Sequence, residues 1–151
     1  MLSKISPVWL SFLVVAVVFS GLLSACSSSA DGQSEHGLKL APLNEMPVEV
    51  RNAPAAVREA YQFAAANPDI LKSIPCYCGC GPMGHESNYA CYVSEVQADG
   101  TVLFDGHSLG CSICVDITQD TMRLLQEGKS VAEIKEFVDQ TYSRFGPSNM
   151  P

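Results

Sequence analysis

The chain has 151 residues, a formal charge of −7, 47% hydrophobic and 17% charged side chains, which fits one globular domain and excludes a disordered chain. With nine Lys and Arg against sixteen Asp and Glu, it lacks the clustered cations of a nucleic-acid surface. Seven cysteines in so short a chain are the unusual feature, and side-chain packing alone gives no reason for them.

Residues 1–25 read as an export signal. Lys4 gives a positive start, Val8 to Leu23 is almost wholly apolar, and small residues follow. Leu23-Ser24-Ala25-Cys26 resembles the lipobox of bacterial lipoproteins, in which cleavage precedes a Cys whose sulfur takes a diacylglycerol. The resemblance implies a lipid anchor at Cys26, attachment to the extracytoplasmic face of a bacterial membrane, and a separate role for the other six thiols. Residues 26–52 then read as anchor and tether, polar and small up to Gly37 and extended to about Val50. His36 falls in this tether and is given no part in a site.

The expected folded domain spans 53–146, with a tail at 147–151. Its class is mainly α, a small α+β fold: N-terminal helix, Cys-rich loop, short β-hairpin and C-terminal antiparallel helical hairpin. Asn52 reads as an N-cap, Pro54 as first-turn residue, and Val57, Ala60, Tyr61 and Ala64 as one helical face. Asn67-Pro68 breaks that helix, and Asn67 is placed to cap a short second one carrying Ile70, Leu71 and Ile74. Pro75 ends it. Residues 76–90, with four Gly and Pro, exclude a regular element. Asp99-Gly100 between two β-prone runs signals a hairpin. From Cys111 the period becomes helical, with Ile113, Ile117, Met122, Leu124 and Leu125 as apolar stripe. Ser130-Val131-Ala132-Glu133 is a capping box opening a last helix whose face is Val131, Ile134, Val138, Tyr142 and Phe145.

Cys76, Cys78 and Cys80 alternate on a Gly-rich loop, joined in the sequence by Cys91, Cys111 and Cys114. Export and an even count favour three disulfides. Against that, neighbours two apart cannot bridge without strain, so three bridges would have to converge on one five-residue segment. Convergence suits a metal. Concentrated thiolate selects soft ions, Cu(I) foremost and Zn(II) second, and one structural zinc would leave two of the six unused. These six Cys are the expected metal ligands, with His85, His107 and Met83 as auxiliary candidates. Val115 after Cys-x-x-Cys excludes c-type haem attachment.

Pro75-Cys76-Tyr77-Cys78-Gly79-Cys80 resembles the bacterial lipoprotein family named for this PCYCGC motif, and the likeness continues through Gly84-His85, Cys91, Asp105, His107, Cys111, Cys114 and Gly128-Lys129-Ser130. It implies metal binding, copper first. Residues 111–146 are also similar to the small thiol reductants of cytochrome c maturation, whose Cys pair opens a helical hairpin. That likeness implies a redox pair at Cys111 and Cys114. Three readings follow: a polynuclear Cu(I)–thiolate lipoprotein that sequesters or delivers copper to a partner protein, a thiol–disulfide oxidoreductase, and a disulfide- or zinc-stapled domain. The first is the favoured one, and on it the protein is not an enzyme.

Overall fold

The computed structural model describes residues 37–151, so the expected signal, Cys26 and His36 lie outside the described residues. The described chain packs earlier than the sequence reading places it. Leu38 and Leu40 lie against the core, a 3-10 turn covers Leu43–Glu45, and helix α1 spans Val48–Arg51. Met46 and Val50, four apart, are both buried, which gives this short segment the apolar face that holds it down. Residues 43–45 and 48–51 are therefore helical, and only Met46 and Pro47 between them are extended. Asn52 caps the C-terminal end of α1 instead of opening the next helix.

Helix α2 (Ala55–Ala66) starts after Pro54 with no side-chain cap and buries Ala60, Tyr61, Phe63 and Ala64. Val57 is only half-buried, and Phe63, outside the expected stripe, is fully buried. Helix α3 (Pro68–Leu71) follows Asn67, whose side-chain amide donates back to the carbonyls of Phe63 and Lys39, each at 2.8 Å, rather than capping forward. Ile74 is buried beyond the end of α3.

Strands β1 (Val93–Val96) and β2 (Val102–Phe104) form the expected antiparallel hairpin, with an irregularity in register between Val93 and Glu95. Asp99 closes its turn by accepting from the Thr101 N–H at 2.9 Å. Helices α4 (Ser112–Gln126) and α5 (Val131–Tyr142) pack as the expected hairpin. The capping box at Ser130 and Glu133 is complete: Ser130 Oγ accepts from Glu133 N, and the Glu133 carboxylate accepts from Ser130 N at 2.8 Å. Ile134, Val138 and Tyr142 are buried as expected. Phe145 is not, at 49% exposure, because α5 ends at Tyr142 and a 3-10 turn carries Phe145 off the stripe.

Helix α2 packs on α4, and α4 on α5, so α4 is the central element. Its first turn is tied to the loops by a buried polar relay. Tyr92 donates to the Cys114 carbonyl at 2.8 Å and its hydroxyl lies 2.7 Å from Thr118 Oγ1, Thr118 donates to Asn88 Oδ1 at 2.7 Å, and Asn88 Nδ2 to the Cys114 carbonyl at 3.2 Å. Tyr92, Asn88 and Thr118 are all fully buried, so each bond is made where water cannot replace it. The Tyr61 ring stands edge-on to Tyr92, centroids 4.9 Å apart, and anchors the relay to α2. Replacing Tyr92 with Phe leaves the Thr118 hydroxyl short of one partner at the cost of no packing volume. Chemical denaturation of Tyr92→Phe should show a loss of about 1–3 kcal/mol.

Candidate metal centre

Three elements bring the sulfur atoms together. Pro75 stops the chain after Ile74, and the motif loop then folds over the start of α4. Gly79 sits at φ +81°, a left-handed conformation that a side chain resists, and so turns the chain between Cys78 and Cys80. Cys91 comes from a 3-10 turn (Tyr89–Cys91) just before β1. Cys111 is the N-cap of α4, and Cys114 lies in its first turn.

The sulfurs form one continuous group. Cys76 Sγ lies 3.4 Å from Cys78 Sγ and 3.5 Å from Cys114 Sγ. Cys114 is also 3.5 Å from Cys78 and 3.2 Å from Cys111. Cys80 and Cys91 are 3.6 Å apart, and with Cys76 and Cys78 they form a set whose atoms all lie within 4.8 Å of one another. A second such set is Cys78, His107, Cys111 and Cys114, and a third is Cys80, His85 and His107. Cys78, Cys80 and His107 each belong to two sets. All six described cysteines are free, and separations of 3.2–3.6 Å far exceed a disulfide bond of about 2.05 Å.

Burial grades the site. Cys76, Cys80, Cys91 and Cys114 are buried, while Cys78, Cys111 and His107 are half-exposed and form its mouth. Of the auxiliary candidates, His107 Nε2 lies 3.6 Å from Cys78 Sγ and His85 is buried beside it, rings perpendicular. Met83 is 63% exposed.

Electrostatics separate the thiols. The Cys114 and Cys91 thiols, bonded to Cys76 Sγ, hold Cys76 well below the usual thiol range despite its burial. Cys114 is pushed far up by its bonds to Cys76 and Cys91 and by burial. The sequence placed Cys114 in a helix first turn, where the dipole favours thiolate; the neighbouring sulfur charge and burial override that. Burial first of all raises Cys78 and Cys80. Cys91 is drawn down by Cys114 but ends raised through its bond to Cys76 and burial. Cys76 is thus favoured as thiolate, while Cys78, Cys80, Cys91 and Cys114 are shifted toward the thiol.

One contributor came from outside the expected domain. Asn149, in the tail, accepts from the Cys76 N–H through Oδ1 at 2.7 Å and donates its own N–H to the Cys76 carbonyl at 3.0 Å. Its Nδ2 lies 3.6 Å from Cys80 Sγ. Gly146 lets the tail pass close: a Cβ there would lie 3.2 Å from the Tyr77 carbonyl. The Tyr77 hydroxyl, pushed up to about 12 by burial and by its bond to Asp139, donates to that carboxylate at 2.6 Å and pins the loop to α5. No periodicity marks Asn149, since it acts as a single residue on an irregular segment.

A family model described as a protein of unknown function with PCYCGC motif matches residues 14–149. The chain belongs to that family. No curated protein and no solved structure matches it. The motif cysteines, with Cys91, Cys111, Cys114, His85 and His107, lie close enough together to hold a metal ion.

Asn149→Ala should weaken metal affinity about 10–100-fold, the range for an outer partner that orients a ligand. A competition titration against a chelator measures it, with an unchanged number of ions bound.

Proposed function

We propose that this chain is a membrane-anchored extracytoplasmic lipoprotein that binds Cu(I) as a polynuclear thiolate cluster, for sequestration or delivery. The observation carrying this reading is the continuity of the sulfur group. Each of the six Sγ atoms has another within 3.6 Å, and Cys78 and Cys80 are shared between candidate sets as bridging thiolates would be. A lone tetrahedral zinc site uses four ligands and closes around them, which leaves the remaining sulfurs without a role. Soft thiolate in excess selects Cu(I).

The donor set fits the cargo. Copper ions supply the positive charge that the buried thiols lack, so thiols that are protonated in the free protein bind as thiolates. The half-exposed Cys78 and Cys111 give an incoming or accepting protein thiol a place to attack by ligand exchange. Lipidation at Cys26 would hold the domain where copper crosses the membrane, and no described helix is long and apolar enough to serve that purpose.

A second reading, thiol–disulfide exchange, draws on the 3.2 Å separation of Cys111 and Cys114, close enough to join after a small rotation. Against it stands the setting of the pair, since Cys114 also lies 3.5 Å from both Cys76 and Cys78 and so belongs to a larger sulfur group rather than to an isolated pair.

Native mass spectrometry of the reduced full chain, titrated with Cu(I) against a chelator, should show several Cu(I) ions bound together and fewer in Cys78→Ser. Protein isolated from cells with three disulfides and no copper contradicts the proposal, and disulfide reductase turnover dependent on Cys111 and Cys114 alone supports the second reading. The pH dependence follows from the raised thiols. Metal must displace protons from Cys78, Cys80, Cys91 and Cys114, so apparent affinity should rise with pH and fall on acidification. Loading in weak buffer should release more than one proton per chain.

A further inference from the structure

His85 is buried, at 7% exposure, and its Nδ1 is the one buried side-chain nitrogen or oxygen among the described residues with no hydrogen-bond partner. An orphaned buried imidazole nitrogen costs roughly 1–3 kcal/mol, so its presence calls for a ligand. The other ring nitrogen, Nε2, lies 3.5 Å from Asp105 Oδ2. That carboxylate favours the tautomer with its proton on Nε2, which leaves the Nδ1 lone pair free. An imidazole with one nitrogen facing a carboxylate and the other bare is the usual posture of a metal-binding histidine.

Asp105 is itself held in place on three sides. Its N–H donates to the Tyr92 carbonyl at 2.8 Å, its carbonyl accepts from the Tyr61 hydroxyl at 2.7 Å, and its Oδ1 accepts from the His107 N–H at 2.7 Å. One carboxylate thus faces His85 and fixes the backbone that carries His107. The two imidazole rings stand perpendicular, centroids 5.2 Å apart, and with Cys80 they offer donor atoms within 4.8 Å of one another.

We propose that Cys80 Sγ, His85 Nδ1 and a ring nitrogen of His107 form a nitrogen-rich metal position beside the all-sulfur group, suited to a borderline divalent ion such as Zn(II). Two imidazoles and one thiolate match such an ion better than Cu(I), which the thiolate-rich side takes first. Cys80 serves both sides because a thiolate has lone pairs enough to bridge two ions. Asp105 is a positioning residue here. The inference rests on the Cu(I) reading only in assigning the remaining thiolates to copper.

The test saturates the full chain with Cu(I), adds Zn(II) under a chelator that removes loosely held ion, and counts both metals by native mass spectrometry. Zinc-edge X-ray absorption then reads the zinc ligands. The expected result is one retained Zn(II) with nitrogen at about 2.0 Å and sulfur at about 2.3 Å. His85→Gln should lose that ion while the Cu(I) count stays as in the parent, which also shows that the variant folds, and His107→Gln, checked for folding by circular dichroism, should lose the ion as well. No retained zinc, a sulfur-only zinc shell, or equal retention in both variants overturns the proposal. A chain that takes up zinc through nitrogen but no Cu(I) leaves this position standing and removes the copper reading instead.

Discussion

The structure depends on a charge problem at the sulfur group. Two thiolates 3.5 Å apart, as Cys76 and Cys114 are, would repel by about 5 kcal/mol at an effective dielectric constant of about 20. That penalty, repeated over the close sulfur pairs, exceeds a domain's whole stability. With the sulfurs held this close, a full set of thiolate charges is tenable only with cations among them. Bringing these atoms together without a metal is a cost that the rest of the fold has to offset.

The offset is visible in how many elements converge behind the cysteines. The relay from Tyr92 through Thr118 and Asn88 ends on the Cys114 carbonyl, so the residue with the most sulfur neighbours is fixed from its backbone side. Asn149 does the same for Cys76, and Tyr77 binds the loop to α5 through Asp139. Such a frame keeps the donors near their bound positions before metal arrives, which lowers the ordering cost of binding. The buried sulfurs lie deepest, and Cys78, Cys111 and His107 are half-exposed.

Much of this was legible in the sequence because its signals are local. Asp99-Gly100 specifies a turn, Ser130 to Glu133 a capping box, and Cys111-x-x-Cys114 a helix start, each from residues within four positions of one another. The six-thiol grouping was legible too, since alternating Cys residues on a Gly-rich loop leave few other uses. What escaped was long-range. Asn149 reaches Cys76 across 73 positions, and nothing in the tail's composition marks it. Met46 and Val50 are buried only because the core offers a surface there, so their segment reads as an extended linker until that surface is known. Phe145 fits the stripe of α5 by count and leaves it because the helix ends three residues earlier. The free Nδ1 of His85 is a property of its surroundings and has no sequence signal.

Copper-edge X-ray absorption of the reduced, Cu(I)-loaded full chain tests the central claim most directly. A sulfur-dominated first shell with a copper–copper vector, both diminished in Cys78→Ser, is the predicted result. Isolated copper ions with no neighbouring metal, or loading left unchanged by loss of Cys78, would contradict it.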